Sequence, residues 1–320
     1  MRASEDFFDP ASKAALDNLL LQFPGGINAI RDISQRRAGL NSITKTLSEI
    51  EHSDVEVRDL FATTSDKNRS ISLRSYKAKK FSSKEAKPCL IYIHGGGMIM
   101  GNLETGNLNC LSFARKFDLK VISIDYRKSP ESPYPAAVDD CRDGIAWICA
   151  NSDLLEIDLS NIGIYGSSAG GGFVLGTVLK LSDEGQAIFK YMLPIYPMID
   201  DSNTSASSQE VTNIGVWDRK TNIEAWNWYL NGMQADSYAA PARAGNLTGL
   251  PPCYSDVGSF DLFRDENSHF FERLAQSGVP TEFHVFLGAF HGSENLAPEG
   301  DLSKAIWESR FNAIRRFIEK

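Results

Sequence analysis

Six short, mostly apolar runs, at 89–94, 120–126, 161–166, 191–196, 253–258 and 282–287, are separated for the most part by stretches with helical periodicity. Short, mostly apolar runs of this kind are typical of strands buried on both faces, so each predicts a strand covered on both sides. Strands that alternate with helices predict a largely parallel sheet of about eight strands in an α/β architecture, because parallel neighbours need a crossover between them. The two remaining strands come from 55–62 and 70–76, where apolar and polar residues alternate as in an antiparallel, half-exposed pair. Two amphipathic segments, 10–23 and 27–47, precede the sheet as helices, and Trp307, Phe311, Ile314 and Ile318 mark the apolar stripe of a last one. Residues 200–240 break the rhythm with a polar start and an aromatic-rich helix around Trp226, which predicts an inserted lid or cap.

Charge and composition exclude several classes of function. With 33 Lys and Arg against 41 Asp and Glu the net charge is −8, and no run of five basic residues interrupts it, so a nucleic-acid surface is not expected. No window approaches 18 apolar residues, and residues 1–10 carry acids where an export signal has a basic start, so neither a membrane span nor secretion is expected. The five cysteines form no C-x-x-C pair and mostly sit in apolar runs, the pattern of reduced thiols in a cytoplasmic protein.

Sheets of this kind keep their chemistry at the carboxyl ends of the strands. There, Gly166-Ser167-Ser168-Ala169-Gly170 matches G-x-S-x-G between a strand and a helix, a turn that presents the central serine, Ser168, as a nucleophile. The flanking glycines are required because a Cβ two residues either side would strike a neighbouring element. Gly166, Gly170 and Gly172 also fit the glycine spacing of short-chain dehydrogenases. That loop belongs after the first strand, however, and the Tyr-x-x-x-Lys at Tyr76 and Lys80 lies upstream instead of downstream. A second glycine run, His94-Gly95-Gly96-Gly97-Met98, closes another buried strand. It lacks the Lys-Ser/Thr of a phosphate loop but offers the bare amides that an oxyanion requires.

A nucleophilic serine needs a histidine and an acid further along the chain. Of five histidines, His269, His284 and His291 follow Ser168. His269 falls on a helix and His284 within a strand, whereas His291 lies in the loop just past the strand and is the expected base. Asp261, just past the strand at 253–258, is the expected acid. Asp256 lies inside that strand, and Asp265 and Glu266 are accounted for by the start of the next helix.

Together these motifs resemble the hormone-sensitive-lipase group of α/β-hydrolases, mostly microbial carboxylesterases with an HGGG motif. The likeness extends through Asp125-Tyr126-Arg127, Pro130-Glu131, Pro133 to Ala137, Tyr238 to Arg243, Gly249-Leu250-Pro251-Pro252, Asp261 to Glu266 and Gly288 to Gly292. It implies an α/β-hydrolase fold, Ser168, Asp261 and His291 as catalytic triad, and the amides of Gly96, Gly97 and Ala169 as oxyanion hole. It further implies a catalytic core of residues 51–200 and 236–320 beneath a helical cap of 1–50 and 201–235. Three departures from the group's pattern stand out: Ser167 replaces an aspartate, Lys128-Ser129 replaces Leu-Ala, and Met98 stands where an aromatic residue is frequent.

The expected activity is hydrolysis of short- to medium-chain carboxylic esters by a serine esterase with no metal or organic cofactor. The partner is a small-molecule ester, with no nucleic acid and no membrane; a homodimer is compatible with the sequence. A lactonase, amidase or deacetylase would use the same triad, and a non-catalytic binding protein would be marked by loss of a triad member. Residues 217–229 hold four aromatic residues in thirteen positions against 10% overall, most of them expected to glue the cap to the body. Met98, Trp217 and Trp226 are the candidate substrate contacts.

Overall fold

Isoleucine, valine and tyrosine dominate the apolar runs, residues whose branched or flat side chains suit a pleated surface packed on both faces. In the computed structural model, which describes residues 7–48, 52–81 and 85–319, the runs and the alternating pair form one sheet of eight strands. The strands are β1 (Val55–Thr63), β2 (Ser70–Ala78), β3 (Lys87–Ile93), β4 (Lys120–Asp125), β5 (Ile157–Ser167), β6 (Tyr191–Ile195), β7 (Cys253–Gly258) and β8 (Thr281–Phe286). Their spatial order is β1-β2-β4-β3-β5-β6-β7-β8. β2 is antiparallel to both β1 and β4, and every pair from β4 to β8 is parallel.

The helices are α1 (Pro10–Gln22), α2 (Ile33–Ser48), α3 (Asn107–Lys116), α4 (Ala136–Ala150), α5 (Ser152–Leu155), α6 (Ala169–Asp183), α7 (Ala206–Glu210), α8 (Arg219–Leu230), α9 (Arg264–Gln276), α10 (Ser293–Leu296) and α11 (Asp301–Glu319). Alternate residues of one strand feed two separate cores, as a period of two requires. Ile91 and Ile93 pack with Val174 of α6 and Ile145 of α4, while Leu90 and Tyr92 pack with Phe113 of α3 and Phe311 of α11.

Two boundaries differ from the periodicity. β5 begins at Ile157, where Ile157 pairs with Lys87, because its outer half, Asp158 to Asn161, is not fully buried and carries no apolar run. The second amphipathic segment holds a single 3-10 turn at Ile27–Ala29 before α2, which starts after Asp32, whose Oδ1 accepts the Gln35 amide at 2.8 Å. Among the described residues no helix is long and apolar enough to cross a membrane.

The N-terminal helices and the inserted segment meet. Arg36 of α2 pairs with Glu224 of α8 at 2.6 Å and lies 5.9 Å from the Trp228 ring, and Asn28 donates to the Val216 carbonyl. Arg37 ties the same helix to the sheet's loops, donating to the carbonyls of Ile99 and Ser129 at 2.8 and 2.9 Å and forking onto Glu131.

Candidate active site

The G-x-S-x-G turn is built from β5, Ser168 and the first residues of α6. Ser168 has φ +58° and ψ −124°, a left-handed backbone that non-glycine residues rarely adopt. Close packing holds it there. A Cβ on Gly166 would lie 2.4 Å from the Gly170 carbonyl oxygen, and one on Gly170 would lie 2.2 Å from that of Ile93. The Ser168 amide donates to Ile195 of β6 at 2.9 Å, and its carbonyl accepts from Met198 at 3.1 Å.

Asp261 and His291 arrive from the loops that follow β7 and β8. His291 Nε2 lies 2.9 Å from Ser168 Oγ, and Nδ1 lies 2.8 Å from Asp261 Oδ2. A carboxylate only accepts, so Nδ1 carries the proton and Nε2 is left to accept from the serine hydroxyl. Asp261, 1% exposed, spends its other oxygen on the Phe263 amide at 2.9 Å, which fixes the carboxylate. The imidazole stands between two rings, Tyr196 at 4.9 Å and Phe263 at 5.1 Å, both edge to face.

Across from this chain, Gly95 to Gly97 turn tightly after β3. Gly96 (φ +124°) accepts the amides of Ile99 and Met100 on its carbonyl, and a Cβ there would lie 2.2 Å from the Met100 carbonyl oxygen. Among the described residues the Gly96 and Gly97 amides meet no acceptor. Ala169 opens α6, where backbone amides lack helical partners. His94, at the head of this turn, is buried and stacks on Tyr126 at 4.3 Å; burial holds its pKa below the usual range, so it is neutral. Lys128 binds Asp125 at 2.7 Å behind it.

These groups open onto a cavity of about 730 Å³ lined by Ser167, Ser168, His291, Gly96, Gly97 and Trp217, with α3 and α11 on one side and Leu19, Ile27 and Leu40 above. Trp217 roofs the glycine turn: a Cβ on Gly97 would meet its Cη2 at 1.9 Å, and its Nε1–H donates to the buried Asn222 at 2.9 Å. Two expected substrate contacts lie elsewhere. Met98 is buried in the core, because the turn at Gly96 aims it inward and brings Met100 to the cavity instead. Trp226 is also core: the inner face of α8 packs on α6, with Trp226 5.9 Å from Tyr229 and Tyr229 5.8 Å from Phe173. His269 is exposed, and His284 binds Glu282 at 2.9 Å. Among the described residues no three His, Cys, Asp or Glu side chains gather as a metal site needs.

Sequence reasoning missed Glu266, which sits in the first turn of α9 yet is buried and accepts the Ile199 amide at 3.0 Å. It also missed Tyr196, Glu294 and Arg310, which lie behind His291. No local pattern distinguishes them from other tyrosines, acids and arginines.

A family model described as α/β-hydrolase fold matches residues 90–295. The chain belongs to that family. This hydrolase is 30% identical over 285 residues to Esterase LipI of Mycobacterium tuberculosis, covering 88% of each chain. It superimposes on a bacterial heroin esterase with TM-score 0.91 at 32% identity, covering 98% of both chains. With esterase LipW of Mycobacterium marinum the TM-score is 0.88 at 29% identity, covering 100% of this chain and 99% of the other. The resemblance to the hormone-sensitive-lipase group therefore stands, and ester hydrolysis is the activity that fold, family and relatives support for this α/β-hydrolase.

Proposed function

We propose that the protein is a serine carboxylesterase acting on short- to medium-chain esters, with Ser168 as nucleophile, His291 as base and Asp261 as its orienting acid. What carries this reading is the unbroken chain of 2.9 and 2.8 Å contacts from Ser168 Oγ through the imidazole to Asp261. Ser168 Oγ bonds to the ester carbonyl carbon as its proton passes to Nε2, and the carbonyl oxygen becomes an oxyanion facing the amides of Gly96, Gly97 and Ala169. The tetrahedral species collapses, and His291 returns the proton to the departing alcohol, leaving an acyl-serine. Water repeats the sequence: Nε2 takes its proton, the acid leaves, and Ser168 recovers its hydrogen.

Residues 1–50 and 201–235 serve as the cap and 51–200 and 236–320 as catalytic core, of which 1–6, 49–51, 82–84 and 320 lie outside the described residues. The Arg36–Glu224 pair and the cavity walls supplied by Leu19, Leu40 and Trp217 support this division. Five unpaired cysteines, four of them buried, support a reducing, cytoplasmic setting. Treatment with an organophosphate followed by peptide mapping tests the nucleophile. One phosphoryl adduct on Ser168, absent in Ser168→Ala together with activity on soluble esters, is expected. Labelling at Ser167 with activity kept in Ser168→Ala rejects the assignment.

A further inference from the structure

Behind the imidazole lies a chain of buried polar groups that the proposed reaction leaves unused. Arg310 of α11, 1% exposed, holds Asp256 of β7 through two bonds of 2.7 Å and donates from Nη1 to Glu294 Oε1 of α10 at 2.9 Å. The same oxygen accepts the Tyr196 hydroxyl at 2.6 Å and Asn295 Nδ2 at 3.0 Å. The Tyr196 ring then stands 4.9 Å from the His291 ring, inclined at 66°.

Stability alone does not account for such a cluster. Packed apolar residues of similar volume hold a fold about as well as buried ion pairs do, and a buried cluster loses hydration on every member. One guanidinium here faces two carboxylates, which leaves a surplus negative charge. Burial pushes the Glu294 carboxyl up, but Arg310 and the Tyr196 hydroxyl more than offset it and keep the group below the usual carboxylate range. The cluster also joins the strand ends that carry the base. Tyr196 follows β6 and donates its amide to the Asp256 carbonyl at 2.8 Å, Asp256 is on β7, and Glu294 lies three residues past His291.

We propose that Tyr196 and Glu294 are positioning residues for the base. Glu294 fixes the Tyr196 hydroxyl so that the ring is held against the imidazole, and the charge behind the ring favours the imidazolium formed when the Ser168 proton reaches Nε2. Arg310 itself lies 5.4 Å from the Tyr196 ring, so the effect on the imidazolium comes from the ring's fixed placement and from the surplus carboxylate charge behind it. The other groups about His291 are Ser168 and the Phe263 ring, both uncharged, and Asp261, which already holds Nδ1. Glu266, further back near Asp261, is pushed well up by burial and stays neutral. Arg310 is the cation of the cluster and is shared by both acids, and the Tyr254 hydroxyl also donates to Asp256 at 3.2 Å.

The inference rests on Ser168 giving its proton to His291, so Ser168→Ala and His291→Gln are assayed alongside; activity in either removes that assignment, whereas the outcomes below bear on Tyr196 and Glu294 alone. Tyr196→Phe, Glu294→Gln and the double variant are compared with wild type on p-nitrophenyl butyrate from pH 5 to 9, with thermal melts of each. Each single variant is expected to lower kcat roughly tenfold with KM changed less than about twofold. The acid limb of kcat/KM is expected to move to lower pH, because a less stabilised imidazolium gives up its proton sooner. The double variant is expected to be no worse than the poorer single one, since Glu294 acts through Tyr196. Additive losses, an unmoved acid limb, or a raised KM at constant kcat overturn the proposal, the last because Glu294 would then touch substrate from the cavity wall. Should Glu294→Gln fail to fold, Tyr196→Phe, which removes one oxygen, decides by its kcat and its acid limb.

Discussion

At Gly96 a single methyl group is enough to separate two roles for one residue. Its Cβ would lie 2.2 Å from the Met100 carbonyl oxygen in a backbone of φ +124°, so Gly96→Ala must move the turn and its amides. Steady-state kinetics should show kcat reduced roughly 10²-fold or more, the usual loss when an oxyanion donor is displaced; a rise in KM alone assigns the turn to substrate binding instead. Glu266 yields a prediction of the opposite kind, in stability. Burial raises its carboxyl well above the ordinary value, so the folded chain holds that proton to higher pH than the unfolded chain, which releases it above about pH 4.5. Folding therefore loses stability as pH rises from there, and Glu266→Gln, which has no proton to release, should gain in melting temperature over wild type between pH 5 and 8. A difference that stays constant with pH rejects a protonated Glu266. Nothing local in the sequence separates Glu266 from Asp265, since both begin a helix where acids are common. Their depth depends on how α9 rolls against the loop at Ile199, a tertiary fact. The same limit applies to Met98, which is chemically suited to a pocket but faces inward because of the preceding glycine.

Between the residues and the whole chain, the β5–Ser168–α6 turn is the element whose geometry is most legible in the sequence. G-x-S-x-G encodes its own steric reason, and the contacts supply the distances: Gly170 packs against both Ile93 and His94 of the neighbouring strand's end. Gly170→Ala should force α6 away from β3, with an overpacking penalty of about 1–3 kcal/mol. The expected readout is a lower melting temperature together with slower organophosphate labelling of Ser168; an unchanged labelling rate shows that the turn does not depend on this contact. The strands covered on both sides are equally legible from runs such as Cys89 to Ile93, but the run at 282–287, expected to be covered as well, forms the partly exposed edge strand β8, with Val285 48% exposed. Legibility failed where an element is partly wet. The outer half of β5 carries Asp158 and Ser160, and α2 begins only where Asp32 caps it, a local hydrogen bond that apolar periodicity does not register.

Taken as a whole, the molecule places a roof over one end of its cavity, and that roof is expected to limit substrate length. Trp217 comes from the inserted segment, lies over Gly97 and is fixed by Asn222, while Trp226 and Tyr229 anchor the same segment to α6. Aromatic enrichment revealed that such a segment exists but not which ring faces the cavity, because that depends on the path of the chain before α8. Each acyl methylene that fits adds about 0.8 kcal/mol of favourable burial, and one that meets the roof adds nothing. Specificity should therefore climb and then fall along straight-chain esters from acetate to palmitate, with a kcat/KM maximum at roughly four to eight acyl carbons. The two tryptophans are expected to respond differently. Trp217→Ala removes the roof and should move the maximum to longer chains, whereas Trp226→Ala, a loss of packing, should lower stability by roughly 3–5 kcal/mol and leave the maximum in place. Measured kcat/KM series for the three proteins decide the matter. A wild-type maximum at palmitate defeats the roof outright, and a Trp226→Ala shift with none in Trp217→Ala would show that the cavity's limit is set by α8 instead.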